Sequence, residues 1–292
     1  MLGKRILMAL GDLSFFGFGA LRIHLGWILK REDPMTVSLK NIGEIRVRPF
    51  DTDFTIFREI FKGLQYAFPA AHSLRIKNRY DAICSEGAVL LIVDAGANVG
   101  AAARWFLAEY PKARVIAVEP EDMNAALCSS NIAEFGDRAV LVRGAVGGTT
   151  GSALLHFGSK SVGVCTERSS AGATPIYPMA DIIARGGPNA RLLIVKIDIE
   201  GFEDDLFLGD NSWVNEAFSI IIEPHDWKFP GKGSSRSMQR ALMGRDFELL
   251  VRGDSLFFVR DVSLRDCDER DTPVSAVLAA PVSMERGKPN GY

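Results

Sequence analysis

Leu90 to Asp94 is an apolar run closed by an acid, followed at once by Ala95-Gly96-Ala97-Asn98-Val99-Gly100 and then by Ala101 to Leu107, a stretch of helix formers. A short, continuously apolar run reads as a strand covered on both faces, the situation of a parallel strand between helices. A strand, a glycine turn and a helix in that order form the first unit of a nucleotide-type α/β fold. Gly96 permits a turn that a Cβ would obstruct and leaves the main chain open to a ligand. Asp94, at the strand's carboxyl end, is placed to bond that ligand or the amides of the turn.

A dinucleotide turn needs Gly-x-Gly-x-x-Gly so that a pyrophosphate can sit on the helix N-terminus. Gly96 and Gly100 stand here without the middle glycine, so a ligand lacking a pyrophosphate fits better. The second strand, Arg114 to Glu119, is followed by Pro120 and ends in an acid 25 positions beyond Asp94. A carboxylate at that place accepts hydrogen bonds from the hydroxyls of a ribose. Turn and acid together point to S-adenosylmethionine.

Three segments carry a more specific likeness. Val93-Asp94-Ala95-Gly96-Ala97-Asn98-Val99-Gly100, Val118-Glu119-Pro120 and Val195-Lys196-Ile197-Asp198-Ile199-Glu200-Gly201-Phe202-Glu203 resemble the FkbM family of class I methyltransferases. The resemblance spans roughly Ile45 to Val259 and leaves out both ends of the chain. It implies a Rossmann-like α/β fold: a seven-stranded, mostly parallel sheet with helices on both faces. It also implies methyl transfer to an oxygen of a sugar, a glycan precursor or a natural product.

The order of elements is consistent with that fold. After the second strand comes a helix from Glu121 to Phe135, and then a third strand, Ala139 to Arg143. The small residues Gly144, Ala145 and Val146 follow in a loop that faces adenine in such an architecture. Ser152 to Phe157 and Ser161 to Thr166 suggest an inserted strand pair, and Pro178 to Arg185 a short helix. Arg191 to Ile197 is the fourth strand and Gly201 to Leu208 its helix, so Asp198, Ile199 and Glu200 fall in the intervening turn. Phe218 to Glu223 is the fifth strand, Ser234 to Met243 a helix, and Phe247 to Val251 with Leu256 to Val259 a final antiparallel pair.

The expected organisation is an N-terminal extension over residues 1–85, a cofactor-binding domain over 86–262 and a flexible tail over 263–292. Within the extension, Ile6 to Leu29 is apolar but broken by Asp12, Arg22 and His24. It falls short of the ~18–20 uninterrupted apolar residues of a spanning helix. Helical packing on the domain or on a second subunit is the leading reading, ahead of interfacial membrane contact and a cleaved signal; a homodimer is therefore expected. Thr36 to Val47 reads as a hairpin. Asp53 reads as the cap of a helix from Phe54 to Gln65 that forms a lid over the cofactor. Ala67 to Glu86 is of mixed polarity.

Methyl transfer to a hydroxyl needs a group to take its proton. His225, after the fifth strand, is the candidate base because imidazole titrates near neutrality. Asp198 and Glu200, one strand away, would orient the base or the acceptor. Glu203 is accounted for by the helix dipole. The cofactor would be held by Asp94, Gly96, Ala97, Asn98, Gly100, Glu119, Pro120, Gly144, Ala145, Val146 and Asp198. His24, His72 and His156 read as incidental. No metal is expected; a divalent ion on Asp198, Glu223, His225 and Asp226 is the less favoured variant. The alternatives to O-methylation are N-methylation of an amine, a degenerate docking module and, most remotely, a dehydrogenase. A net charge of −2 gives no electrostatic reason to expect nucleic acid. Cys84, Cys128, Cys165 and Cys267 show no pairing or metal spacing, which suggests reduced thiols and a cytoplasmic setting.

Overall fold

The apolar N-terminal stretch folds as two helices because Gly17 stands between them at φ +76°. Helix α1 spans Leu2–Phe16 and α2 spans Phe18–Ile28. The computed structural model describes residues 2–157 and 164–261. The charges that interrupt the stretch are gathered inside: Asp12 lies 3.0 Å from His24 Nε2 and 3.2 Å from Lys62 Nζ. His24 is thus a partner rather than incidental. Outward, Leu7, Leu10, Phe18, Leu25 and Ile28 stay exposed. No helix among the described residues is long and apolar enough to cross a membrane.

The hairpin forms as β1 (Met35–Leu39) and β2 (Gly43–Val47), a two-stranded antiparallel sheet of its own. Helix α3 covers Asp53–Phe61 and α4 covers Ala70–Ser85. Asp53 does not cap α3, contrary to the sequence reading. It is fully buried and accepts from the Arg48 backbone N–H and from Arg48 Nε and Nη2 at 2.8–3.0 Å. A charged pair out of water needs this many bonds to be tolerated. Helix α3 also stops short of Gln65, since Leu64 adopts φ +54°.

The main sheet begins with β3 (Val89–Ala95), followed by α5 (Ala101–Glu109), β4 (Arg114–Glu119), α6 (Asp122–Ile132) and β5 (Ala139–Arg143). Residues Gly144 to Gly148 are not a plain loop. They contain β6 (Ala145–Gly147), which joins β7 (Gly151–His156), β8 (Cys165–Arg168) and β9 (Thr174–Pro178) in a separate four-stranded sheet. The inserted strand pair is therefore real, with its second strand later than expected; Ser161 and its neighbours lie outside the described residues. The chain returns through α7 (Met179–Ala184) to β10 (Ala190–Ile197), α8 (Glu203–Leu208), α9 (Trp213–Glu216), β11 (Ser219–Ile222), α10 (Arg236–Leu242), β12 (Phe247–Arg252) and β13 (Ser255–Arg260).

The seven strands of the main sheet lie in the order β5-β4-β3-β10-β11-β13-β12. All neighbours are parallel except those of β13, which runs against both β11 and β12. This is the seven-stranded, mostly parallel sheet with helices on both faces that the resemblance implies. Leu90 and Ile92 face one core while Leu91 and Val93 face the other. Burying each such side chain contributes roughly 1.5–3 kcal/mol, which explains the unbroken apolar run.

Up to Arg260 the chain forms one unit, and the larger core runs from Phe16 in α1 to Val259 in β13. The extension is bolted on by polar side chains. Buried Arg104 of α5 donates to the Ile42 carbonyl, and Asn131 of α6 exchanges two bonds with the Arg46 backbone. Arg48 adds a bond to Asn124 Oδ1 at 2.7 Å. The expected tail, 263–292, and Cys267 lie outside the described residues. No disulfide joins Cys84, Cys128 and Cys165.

Candidate functional site

The register of β3 on β10 sets Asp94 beside Lys196 and Ala95 beside Ile197. In a parallel pair, adjacent residues share a face. Asp94 and Lys196 are both buried, and Lys196 Nζ lies 3.0 Å from Asp94 Oδ1. The same ammonium donates to the Gly96 carbonyl at 2.6 Å and approaches Asp198 Oδ2 at 3.6 Å. Burial alone would lower the Lys196 pKa, but Asp94, Tyr66 and Asp198 hold it above the ordinary lysine range. Asp94 therefore faces an internal cation rather than a ligand, correcting the expectation from its position. Lys196 clamps the glycine turn to the end of β10. Sequence reasoning quoted this lysine within its motif and gave it no role.

The turn itself is tightly constrained. Gly96 adopts φ +79°, and a Cβ there would stand 1.7 Å from the Asp198 carbonyl oxygen. The glycine is needed for the contact between two strand ends, with ligand access a secondary consequence. Asn98 follows at φ +50° and its N–H donates to Glu119 Oε2 at 2.7 Å. Its side-chain Oδ1 is buried without a partner. Gly100 supplies the left-handed residue before α5, packed on Cys128.

Glu119 ends β4 and accepts one backbone N–H on each oxygen, from Asn98 and from Glu121 at 2.9 Å. Burial pushes its carboxyl up to about 7 against the pull of those amides. Each oxygen retains a second lone pair for a hydroxyl donor.

A pocket with about 530 Å³ of empty space, open solvent included, runs from Glu119, Pro120 and Asn124 past Gly144, Ala145 and Val146 to Asn98, Asp198 and Glu200. Of the expected cofactor contacts, Gly96, Asn98, Glu119, Pro120, Gly144, Ala145, Val146 and Asp198 line it. Asp94, Ala97 and Gly100 do not: Asp94 and Gly100 lie behind its wall, and Ala97 lines a neighbouring cleft. Val118, Asn124, Ile199 and Phe202 also line the cavity and carried no signal in the sequence beyond their neighbours.

That neighbouring cleft holds about 990 Å³ of empty space and is walled by α3 through Thr55, Ile56 and Glu59, and opposite by Lys196, Glu223 and Asp254. It shares Gly96, Asn98, Asp198 and Glu200 with the first cavity. The two spaces thus meet at the ends of β3 and β10, where open α/β sheets bind ligands.

The turn after β10 carries the remaining chemistry. Glu200 adopts φ +55° and Gly201 φ +97°, a sharp reversal before α8. His225 is 2% exposed and lies beneath this turn. Its Nδ1–H donates to Glu203 Oε1 at 2.8 Å, while Nε2 stands 3.5 Å from Glu200 Oε2 and 3.7 Å from Asp198 Oδ1. Burial would lower its pKa, but Glu203, Asp198 and Glu200 raise it to about 9. These three acids favour the protonated ring. It lines neither cavity. Both facts count against His225 as the proton-accepting base. Glu203 is 1% exposed; it opens α8, and its Oε1 accepts from both His225 and the Gly201 N–H at 3.2 Å.

Of the four residues weighed for a divalent ion, Asp198 and His225 converge, while Asp226 turns to the Ser235 N–H. Glu223 lines the second cleft; burial and the Asp198 charge raise its carboxyl to about 7. Glu200 replaces them: ligand atoms of Asp198, Glu200 and His225 lie within 4.8 Å of one another. Lys228 also donates to Glu200 Oε2 at 2.7 Å. Elsewhere His72 pairs with Glu248 and His156 with Glu167.

Fold and site together define a Rossmann-like α/β protein with two joined cavities at the carboxyl edge of its sheet. No protein-family model and no curated protein matches this chain. Similar solved structures include a methyltransferase from Geobacter sulfurreducens, at 16% identity, TM-score 0.35, covering 72% of this chain and 90% of that one. Another is the magnesium protoporphyrin IX methyltransferase of Synechocystis PCC 6803 with bound S-adenosylmethionine, at 13% identity, TM-score 0.33, covering 72% and 92%. A third is TDP-rhamnose 3'-O-methyltransferase of calicheamicin biosynthesis, at 12% identity, TM-score 0.35, covering 69% and 85%.

Proposed function

We propose that this protein is an S-adenosylmethionine-dependent methyltransferase of the FkbM type, acting on a hydroxyl of a small polar molecule such as a sugar or glycan precursor. The observation that carries the reading is the junction: a cavity bordered at one end by Glu119 shares Gly96, Asn98, Asp198 and Glu200 with a second cleft. A two-substrate transfer needs its reactants held nearly in line across a shared boundary.

The first cavity fits the cofactor by its polar groups. Glu119 has a free lone pair on each oxygen for a ribose, and the unpartnered Asn98 Oδ1 accepts a donor beside the shared rim. When bound, S-adenosylmethionine supplies an electrophilic methyl on a sulfonium. Asp198 and Glu200 border both spaces. Their carboxylates would accept the acceptor's O–H and take its proton as that oxygen receives the methyl. His225 and Glu203 hold these carboxylates in place from below.

The second cleft suits a hydroxylated acceptor. Thr52, Thr55, Glu59, Gln65 and Asp254 offer hydrogen-bonding groups, with Ile56 and Ile60 as an apolar floor. A third cleft beyond Gly201 shares only Thr166 and Glu200 with the first cavity, so it is the poorer acceptor site. In this reading α3 walls the acceptor rather than lidding the cofactor.

Calorimetry with S-adenosylmethionine and S-adenosylhomocysteine, with NAD as control, tests the reading. Micromolar binding of both sulfur compounds and none of NAD is expected, followed by methylation in a screen of sugars. Failure of both to bind a folded protein overturns the proposal and favours a docking role for the fold.

A further inference from the structure

We infer that Asp198, Glu200 and His225 form a divalent transition-metal site at the junction of the two cavities, with Glu203 as its outer support. The inference deepens the methyltransferase reading by giving that junction a cation.

The argument starts from the ring nitrogens. His225 is 98% buried, and Glu203 fixes Nδ1 as the donor at 2.8 Å. Nε2 is thereby aimed between two carboxylate oxygens at 3.5 and 3.7 Å. Neither distance is a hydrogen bond, which runs to about 3.2 Å for N–H···O. Nε2 and one oxygen from each acid lie within 4.8 Å of one another at the junction. Three donors each about 2.0–2.2 Å from one cation stand roughly 3.0–3.6 Å apart. The 3.5 Å distance falls at that spacing and the 3.7 Å one just beyond it, and the full triangle, within 4.8 Å, closes with a small movement of the partly exposed Asp198 or Glu200.

The surroundings agree. A ligating histidine almost always gives its other N–H to a carboxylate or carbonyl, the part Glu203 plays. Asp94, Asp198, Glu200, Glu203 and Glu223 crowd the end of the sheet, against Lys196 and Lys228. Lys196 is held by Asp94 and the Gly96 carbonyl and stands 3.6 Å from Asp198 Oδ2, while Lys228 is shared between Glu200 Oε2 and Cys165. One imidazole with two carboxylates suits Mn²⁺ or Zn²⁺ better than Ca²⁺ or Mg²⁺, which prefer all-oxygen sets. Asp198 and Glu200 are 28% and 23% exposed, so the ion enters from the cavities. Placed there, it would orient an acceptor oxygen at the boundary.

The test uses the full chain stripped with EDTA and titrated with Mn²⁺, without S-adenosylmethionine, reading free Mn²⁺ by electron paramagnetic resonance and heat by calorimetry. One ion per chain is expected. His225→Ala and Asp198→Asn should each weaken binding at least tenfold, and Glu203→Gln about tenfold or more through the outer bond. Lys228→Met should bind as well or better, because it frees Glu200 Oε2. Circular dichroism checks folding; if His225→Ala does not fold, Glu200→Gln in the half-exposed turn takes its place. No saturable Mn²⁺ or Zn²⁺ binding at millimolar concentration overturns the site, as does binding that His225→Ala or Glu200→Gln leaves unchanged. Cofactor binding is measured on the same samples, so a metal site without cofactor binding, or the reverse, separates this inference from the methyltransferase reading.

Discussion

Two charged clusters stand close together at the carboxyl edge of the main sheet, one between β3 and β10 and the other in the turns after β10 and β11, and they behave oppositely. Asp94 with Lys196 is closed: both groups are buried, the ammonium is matched by a carboxylate and a carbonyl, and Lys196 alone borders the second cleft. Asp198, Glu200 and His225 are open: the acids are partly exposed to two cavities and the ring nitrogen between them lacks a hydrogen bond. A completed cluster holds the fold together, and an incomplete one is available for a ligand. Position in the sequence does not separate them, since Lys196 and Asp198 are two residues apart.

The sharpest way to break the contrast is Lys196→Met. It leaves Asp94 buried without its cation and should cost about 3–5 kcal/mol, read as a shift in denaturant midpoint. A loss below about 1 kcal/mol would show that the buried pair does not support the strand ends. Asp198→Asn tests the other side. It should leave the denaturant midpoint nearly unchanged and lower turnover on an identified acceptor by about a hundredfold; unaltered turnover would remove Asp198 from the chemistry.

Gly96→Ala probes the link between the clusters. Its methyl would meet the Asp198 carbonyl at 1.7 Å in a left-handed backbone, so the turn must shift. A stability loss on the order of 1–3 kcal/mol is expected, with weaker cofactor binding by calorimetry. Wild-type stability in this variant would mean that the two strand ends are not in contact.

The smallest effect is one of pH, at Glu119. Its folded pKa, about 7, is raised above the ordinary 4.5, so the folded state binds a proton more readily than the unfolded chain. The burial penalty is full above pH 7 and absent below 4.5, so this group makes stability rise as pH falls between those values. Denaturation at pH 5 and pH 8 should show that rise, and Glu119→Gln should lose this part of it. Cofactor binding should run the other way, weakening as pH falls below 7, because ribose hydroxyls need the ionised acceptor. An identical pH response in the glutamine variant would refute the assignment.

Much of the frame was legible because it follows from local rules. The apolar run at Leu90, the glycine turn, the acid at Glu119 and the strand ending in Lys196 each declare themselves through periodicity and turn chemistry. The parallel sheet and its last antiparallel pair follow from that order. Asp53 was misread because a cap and a buried ion-pair partner look alike until Arg48 folds back on it. Strand β9 and the four-stranded sheet were missed because Ala145–Gly147 and Thr174–Pro178 are short and pair with each other across a long stretch of chain. His225 was placed in the right turn, but its bond to Glu203 and its closeness to Asp198 and Glu200 were not legible, because they depend on which charges the fold brings around it.

By itself, then, the amino-acid order determined which segments are strands, where the chain turns and which edge of the sheet carries acids. Those are matters of side-chain alternation and backbone conformation, and they act over a few residues. The tertiary structure alone decided that Lys196 neutralises Asp94, that Glu203 reaches back to His225, and that Asp198 and Glu200 form the wall between two cavities. Those outcomes depend on register and on distances between residues far apart in the chain. Electrostatic and solvation energies depend on such distances and on burial, neither of which is written in any single stretch.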